Sequence, residues 1–150
     1  MKIYEYKTKA TLVREIPDAK VCSVEAAWGY LVGAFDTHPE QESFWVLFLN
    51  NKNVIKGRQM LTLGTQVGTL CSPREVFRAA LAANAMAIVC AHNHPSGDPA
   101  PSCADIEVTK QLRLAAMAID IKLIDHIIIG DRKSDPLGKG YYSFRENGIV

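Results

Sequence analysis

Helix and strand signals alternate along this 150-residue chain, which predicts an α/β domain, an α+β sandwich in which helices cover a mixed sheet. Two sets of observations carry that prediction. Apolar runs at 44–49 and 87–91 are too short for helices and read as buried strands. Serine-led capping signatures at 72–75 and 102–105 open helices after them or between them. The length suits one domain, at about 100–200 residues per domain. With 48% apolar and 22% charged residues a core can form, and wholesale disorder is excluded. Neither an internal repeat nor a low-complexity tract is present.

Residues 1–21 read as an N-terminal extension ahead of a domain over 22–150. Ile3, Tyr4 and Tyr6 beside lysines suit an edge strand or a loose extension that Pro17 ends. Ser23 then caps a helix with Ala26, Ala27, Tyr30, Leu31 and Ala34 at three- and four-residue spacing, ending near the Asp36 to Pro39 turn. Phe44 to Leu49 form a core strand, and Asn50-Asn51-Lys52-Asn53 turn it into Val54-Ile55. A further strand is expected over 59–70, with Leu61, Leu63 and Val67 among glycines and threonines. Ser72-Pro73-Arg74-Glu75 combines an N-cap serine, a proline at the first helical position and a glutamate three residues after the cap, so a helix runs from there to about Asn84. Ala87 to Ala91 is a buried strand that delivers the chain into His92-Asn93-His94-Pro95. Ser102 and Asp105 begin another helix, with Ile106, Thr109, Leu112, Ala116 and Ile119 on one face. Strands at 123–129 and around 141–144 complete the chain.

The charge balance narrows the functional classes. Seventeen basic against sixteen acidic residues leave +1, which provides no electrostatic footprint for nucleic acid or an anionic membrane. The longest apolar stretch, Ala85 to Ala91, falls far short of the roughly 18 residues of a spanning helix. Residues 1–7 alternate apolar and charged side chains and never open into the apolar core of a signal peptide, so a cytoplasmic location is expected. Cysteines 22, 71, 90 and 103 form no C-x-x-C pair and read as reduced and mostly buried.

Chemistry concentrates after the second buried strand. Residues two apart in an extended segment point to the same side, so His92 and His94 aim both imidazoles at one point. A catalytic zinc needs three protein ligands and keeps its fourth position for water. Asp105 can be the third ligand, because the turn-forming residues 95–101 let the chain fold back onto the two histidines. The competing reading makes Asp105 only the partner of Ser102 in a helix cap and the histidines ordinary loop residues. On spacing alone both readings stand.

The string His92-Asn93-His94-Pro95-Ser96-Gly97-Asp98-Pro99-Ala100-Pro101-Ser102-Cys103-Ala104-Asp105 resembles the JAMM signature, H-x-H-P followed by S-x-x-D, of JAB/MPN metalloproteases. In its fuller form it is similar to the bacterial RadC family, as are Ser72-Pro73-Arg74-Glu75-Val76-Phe77, Leu123-Ile124-Asp125-His126-Ile127-Ile128-Ile129-Gly130 and Tyr142-Ser143-Phe144-Arg145-Glu146-Asn147-Gly148. The likeness covers roughly 22–150. It implies a JAB/MPN-like, cytidine-deaminase-like mixed sheet flanked by helices. It also implies one zinc ion per chain held by His92, His94 and Asp105, in a metallopeptidase or isopeptidase acting on a polypeptide. The family's glutamate falls on Glu42 as general base. Ser102 is its candidate for bonding the tetrahedral oxyanion, provided that its hydroxyl is not committed to the cap. RadC proteins carry a DNA-repair label, which implies DNA as another partner. Their N-terminal helix-hairpin-helix region has no counterpart in residues 1–21, so a short form is expected.

Rival residues have simpler duties. Glu75 completes a helix cap, and Glu40 lies beside Pro39 in a turn. His126, with Asp125, reads as a packed, hydrogen-bonded strand residue and less readily as support for the site. Cys90 reads as a small buried hydrophobe, although thiolate from it or from Cys103 would be a good zinc ligand. Nucleobase deaminases need H-x-E with P-C-x-x-C, which is absent. The letters H-N-H are likewise no nuclease signature, since that name denotes residues spread over a ββα unit.

Overall fold

The computed structural model describes residues 3, 9–11, 20–31, 33–64 and 71–150. In chain order the elements are α1 (Val24–Leu31), β1 (Ser43–Leu49), β2 (Ile55–Leu63), α2 (Pro73–Ala82), β3 (Ala87–Asn93), α3 (Cys103–Ala118), β4 (Lys122–Ile129) and β5 (Tyr141–Ser143). The strands form one mixed sheet in the order β2-β1-β3-β4-β5. The short turn after β1 makes β1 and β2 antiparallel, with Asn53 at φ 59° in the turn. β3 and β4 are parallel because α3 carries the chain back between them, and β1 pairs antiparallel with β3.

β3 lies at the centre and is buried at every position, which explains its unbroken apolar sequence. Side-chain alternation sends Phe44, Val46, Phe48, Ile88 and Cys90 to one face. There they pack with Val76, Phe77 and Ala80 of α2 and Val108, Leu112 and Ala116 of α3. Leu47, Leu49, Val89, Ala91, Ile127 and Ile129 take the other face under Val24, Ala27 and Leu31 of α1. The layers are therefore helix, sheet, helix, the mixed α/β arrangement expected from the sequence. No helix of the described residues is long and apolar enough to cross a membrane.

Several boundaries differ from the sequence reading. β2 is one strand from Ile55 to Leu63, not a short 54–55 piece and a separate 59–70 strand. It pairs along β1 despite its polar residues, because a sheet-edge strand exposes much of its surface. Residues 65–70, including Val67, lie outside the described residues. α1 stops at Leu31 before Gly33, whose φ of +75° leaves the helical region, yet Ala34 is still buried as expected. The buried face of α3 is Asp105, Val108, Thr109, Leu112 and Ala116. Ile119 is the C-cap residue and is 39% exposed, while Ile106 is only half-buried. The helix is rotated so that its first turn faces the end of β3. Of the N-terminal extension, Lys20 bridges to Val54, and Tyr4, Tyr6 and Pro17 lie outside the described residues.

Candidate metal centre

The strand ladder aims His92. It stands opposite Phe44 of β1 and Ile128 of β4, on the face that Ile88 and Cys90 share, so its ring points toward α3. The ring is wholly buried and stacks on Phe44 at 5.9 Å. His94 follows one residue past the end of β3, but its N–H still donates to the Ile129 carbonyl at 2.8 Å. That bond extends the parallel ladder and keeps His94 in phase with His92.

The loop from His94 to α3 is held by backbone contacts. Gly97, at φ +85°, donates to the His94 carbonyl at 2.9 Å and accepts from Asp131 at 2.6 Å. Gly130 passes so near that a Cβ there would overlap the Gly97 carbonyl oxygen and lie 2.8 Å from Pro99 Cδ. Ala100 N–H donates to Asp98 Oδ1 at 2.9 Å, turning the chain back toward Ser102. Asp105 is then the third residue of α3, where its carboxylate accepts from the Ser102 N–H at 2.7 Å.

The loop therefore brings together what the spacing suggested. His92 Nε2 lies 3.2 Å from His94 Nε2 and 3.1 Å from Asp105 Oδ1, and His94 Nε2 lies 3.5 Å from Asp105 Oδ2. Ligands about 2.0–2.1 Å from a tetrahedral zinc stand about 3.3–3.4 Å apart, so these three donors have the spacing such an ion needs. Among the described residues, they are the set whose ligand atoms all lie within 4.8 Å of one another. The donor chemistry agrees. The Asp98 carbonyl can only accept, so at 2.8 Å it receives a hydrogen bond from His94 Nδ1–H, and the neutral ring carries its lone pair on Nε2.

Electrostatics follow from the same contacts. Burial works to raise the Asp105 pKa, but the imidazoles of His92 and His94 beside it and the Ser102 hydroxyl prevail and hold its carboxyl below the usual carboxylate range. Burial works to lower that of His94, yet Asp105, the Asp98 carbonyl and Glu42 together raise it.

Glu42 precedes β1 and places Oε1 3.9 Å from His92 Nε2, with its side chain 28% exposed. Asn93 anchors this segment from between the two histidines, pointing the opposite way. Its Oδ1 accepts from Ser43 N–H at 2.8 Å and from the Ser43 hydroxyl at 3.1 Å, and its Nδ2 donates to the Gln41 carbonyl at 3.0 Å. The residues on both sides of Glu42 are thus tied to the histidine strand. Ser102 donates its hydroxyl to Asp105 Oδ2 at 2.6 Å and accepts from Asp105 N–H at 3.2 Å. Capping and ligand orientation are one arrangement here: Asp105 completes the cap and also faces the histidines.

The competing residues are occupied elsewhere. The Glu75 carboxylate accepts from the N–H and hydroxyl of Ser72, each at 3.2 Å, and these bonds, the backbone one foremost, lower its pKa. Glu40 is exposed in a turn. Cys90 is buried in the core, where desolvation pushes its thiol pKa well up, and Cys103 is exposed.

His126 is both packed and part of the site's surroundings. It lies between Phe44 and Phe144, and burial pushes its pKa well below the ordinary histidine value, leaving the ring neutral. Its Nε2 is 2.9 Å from His92 Nδ1, and its Nδ1 is 2.6 Å from Thr109 Oγ1. Asp125, its sequence neighbour, instead accepts from the Ser143 hydroxyl and Arg145 N–H, since adjacent strand residues face opposite ways. Sequence reasoning missed Thr109 and Asn93 in these roles. The available signal was parity: Thr109 lies one helical turn beyond Asp105, and Asn93 alternates with the histidines.

Comparison with known proteins agrees with this arrangement. Residues 21–149 match the family model described as a RadC-like JAB domain. The chain is 47% identical over 111 residues to UPF0758 proteins of Bacillus cereus (strain AH187) and Bacillus anthracis (strain CDC 684 / NRRL 3495). A UPF0758 protein of Bacillus thuringiensis subsp. konkukian (strain 97-27) is equally similar. Each match covers 74% of this chain and 46% of the relative, so the matched region spans about half the length of these proteins. With its motif, its sheet and its histidine–aspartate cluster in agreement with that match, the chain belongs to the RadC-like JAB domain family.

Proposed function

We propose that this chain is a zinc-dependent hydrolase that cleaves an amide bond in a polypeptide. The observation that carries the reading is the convergence of His92 Nε2, His94 Nε2 and the Asp105 carboxylate at 3.1–3.5 Å, with the Glu42 carboxylate 3.9 Å from the first of them. One zinc ion per chain, held by those three residues, would supply a Lewis acid that acidifies water toward neutral pH. The protein's own groups do the rest. Glu42 Oε1 takes the proton of the attacking water and returns it to the departing amine nitrogen. Its partial exposure lets substrate and solvent reach it, while Asn93 fixes the segment on which it stands. Ser102 orients Asp105, and it bonds the tetrahedral oxyanion only on releasing that carboxylate.

Metal analysis of the untagged protein is expected to find one zinc per chain. Glu42→Gln should keep the zinc and lose hydrolysis of a peptide library, whereas His94→Ala should lose both. A wild type that holds no metal and is indifferent to chelator would overturn the proposal. Loss of hydrolysis on Glu75→Gln would reassign the base.

A further inference from the structure

Behind His92 runs a chain of three hydrogen bonds whose direction follows from the chemistry of its last acceptor. The Asp105 backbone carbonyl carries no proton, so at 2.6 Å it receives the hydrogen of the Thr109 hydroxyl one helical turn later. A hydroxyl has one hydrogen to give. Thr109 Oγ1 therefore meets His126 Nδ1, also 2.6 Å away, as an acceptor, and Nδ1 carries the proton. A neutral imidazole has one N–H, so His126 Nε2 is a lone pair, to which His92 Nδ1 donates across 2.9 Å. The neutral His92 ring then carries no hydrogen on Nε2, the atom that faces His94 Nε2 and Asp105 Oδ1. The opposite direction would leave the Thr109 and Asp105 oxygens 2.6 Å apart with no hydrogen between them.

We propose that Thr109 and His126 are positioning residues that hold His92 in its Nδ1–H tautomer, so that Nε2 is presented to a cation. The proposal rests on the reading of His92 as a metal ligand. All members of the relay are buried: His92, His126 and Thr109 have no exposed surface, and Phe44 and Phe144 flank the His126 ring. Water therefore has no ready access to replace a missing partner, and the acceptor at the far end sets the proton positions along the chain. Asp105 contributes to the site twice, with its carboxylate as ligand and its carbonyl as the terminus of the relay.

Replacing Thr109 with valine keeps the shape and removes that acceptor. The His126 Nδ1 proton then has no partner. Moving it to Nε2 turns His92 Nδ1 into an acceptor and puts the His92 proton on Nε2, where it blocks the metal. Thr109→Ser retains the hydroxyl. Nitrogen-15 NMR of the histidine rings in the metal-free full chain is expected to find Nδ1–H on both His92 and His126 in the wild type and in Thr109→Ser. In Thr109→Val the His92 proton should move to Nε2, and zinc affinity measured by chelator competition should fall about 10–100-fold, the usual effect of losing a partner behind a ligand. Thr109→Ser should bind zinc like the wild type. An Nε2–H tautomer of His92 in the metal-free wild type would overturn the proposal without recourse to any variant. So would a folded Thr109→Val protein with wild-type zinc affinity. A wild type that takes up no zinc would instead remove the metal reading beneath it, a failure distinguishable because the tautomer is read without metal.

Discussion

Asn93→Ala tests how the segment that carries Glu42 is joined to the strand that carries His92. The side chain is 7% exposed and makes three hydrogen bonds, two to Ser43 and one to the Gln41 carbonyl. Ser43 is 2% exposed, so truncation leaves its N–H buried and without this acceptor, at a cost of about 1–3 kcal/mol. The Gln41 carbonyl lies nearer to solvent and adds less, about 0.5 kcal/mol, the lower end for a neutral hydrogen bond. The Ser43 hydroxyl still accepts from Trp45 Nε1 but loses the acceptor of its own hydrogen, which adds about 0.5–1.5 kcal/mol. The total is about 2–5 kcal/mol, or roughly 4–20 °C in Tm for a domain of this size. The zinc binding proposed above should persist, because the ladder, the 95–101 loop and the α3 cap hold His92, His94 and Asp105 independently of this side chain. Urea denaturation of the metal-free protein measures the first quantity, and metal analysis of the folded variant the second. A loss below about 0.5 kcal/mol, the size of an ordinary surface substitution, would refute the assignment of Asn93 as the tether.

Other perturbations read different parts of the fold. Gly130→Ala drives a methyl group into the Gly97 carbonyl and Pro99, so it should destabilise by about 1–3 kcal/mol, as overpacking does, and weaken metal binding through the displaced His94 loop. Normal stability and metal affinity in that variant would contradict the close approach. Burial raises the Asp125 pKa, so the folded state binds this proton more readily than the unfolded chain. The resulting stabilisation is present below the unfolded pKa and is lost as pH rises through the folded one, and each tenfold gain in proton affinity on folding corresponds to about 1.4 kcal/mol. Asp125→Asn should therefore cost more stability near pH 4 than at pH 7, and urea titrations at both values would expose the opposite sign. Native alkylation should modify exposed Cys22 and Cys103 first, because Cys90 is buried and burial, reinforced by Glu75, pushes Cys71 up to about 12. Rapid native labelling of Cys71, read by mass spectrometry, would argue against that placement.

Local chemistry was legible wherever one segment decides it alone. Ser72 and Ser102 each stand before a helix, and the alternation at His92 and His94 survives because the backbone ladder continues through His94 N–H. The 95–101 loop could be judged capable of return from its proline, glycine and aspartate content. The rotation of α3 was less legible. Ile106 and Ile119 suit a buried face as well as Val108 does, and docking of the first turn against β3 decides among them. β2 was misread because a partly exposed edge strand has only a weak apolar alternation.

The sequence by itself determined the class of fold, the pair of imidazoles aimed one way and the carboxylate able to join them, since these depend on short-range geometry and side-chain period. Only the tertiary structure decided what those groups meet. His126 reaches His92 from a strand thirty-four positions on, Asn93 reaches across to the residues around Glu42, and Ser102 commits its hydroxyl to the same carboxylate that faces the histidines. Strand order and helix docking create those contacts. Tautomer, burial and charge are properties of such neighbours, which separation along the chain leaves undetermined until the sheet and helices have packed.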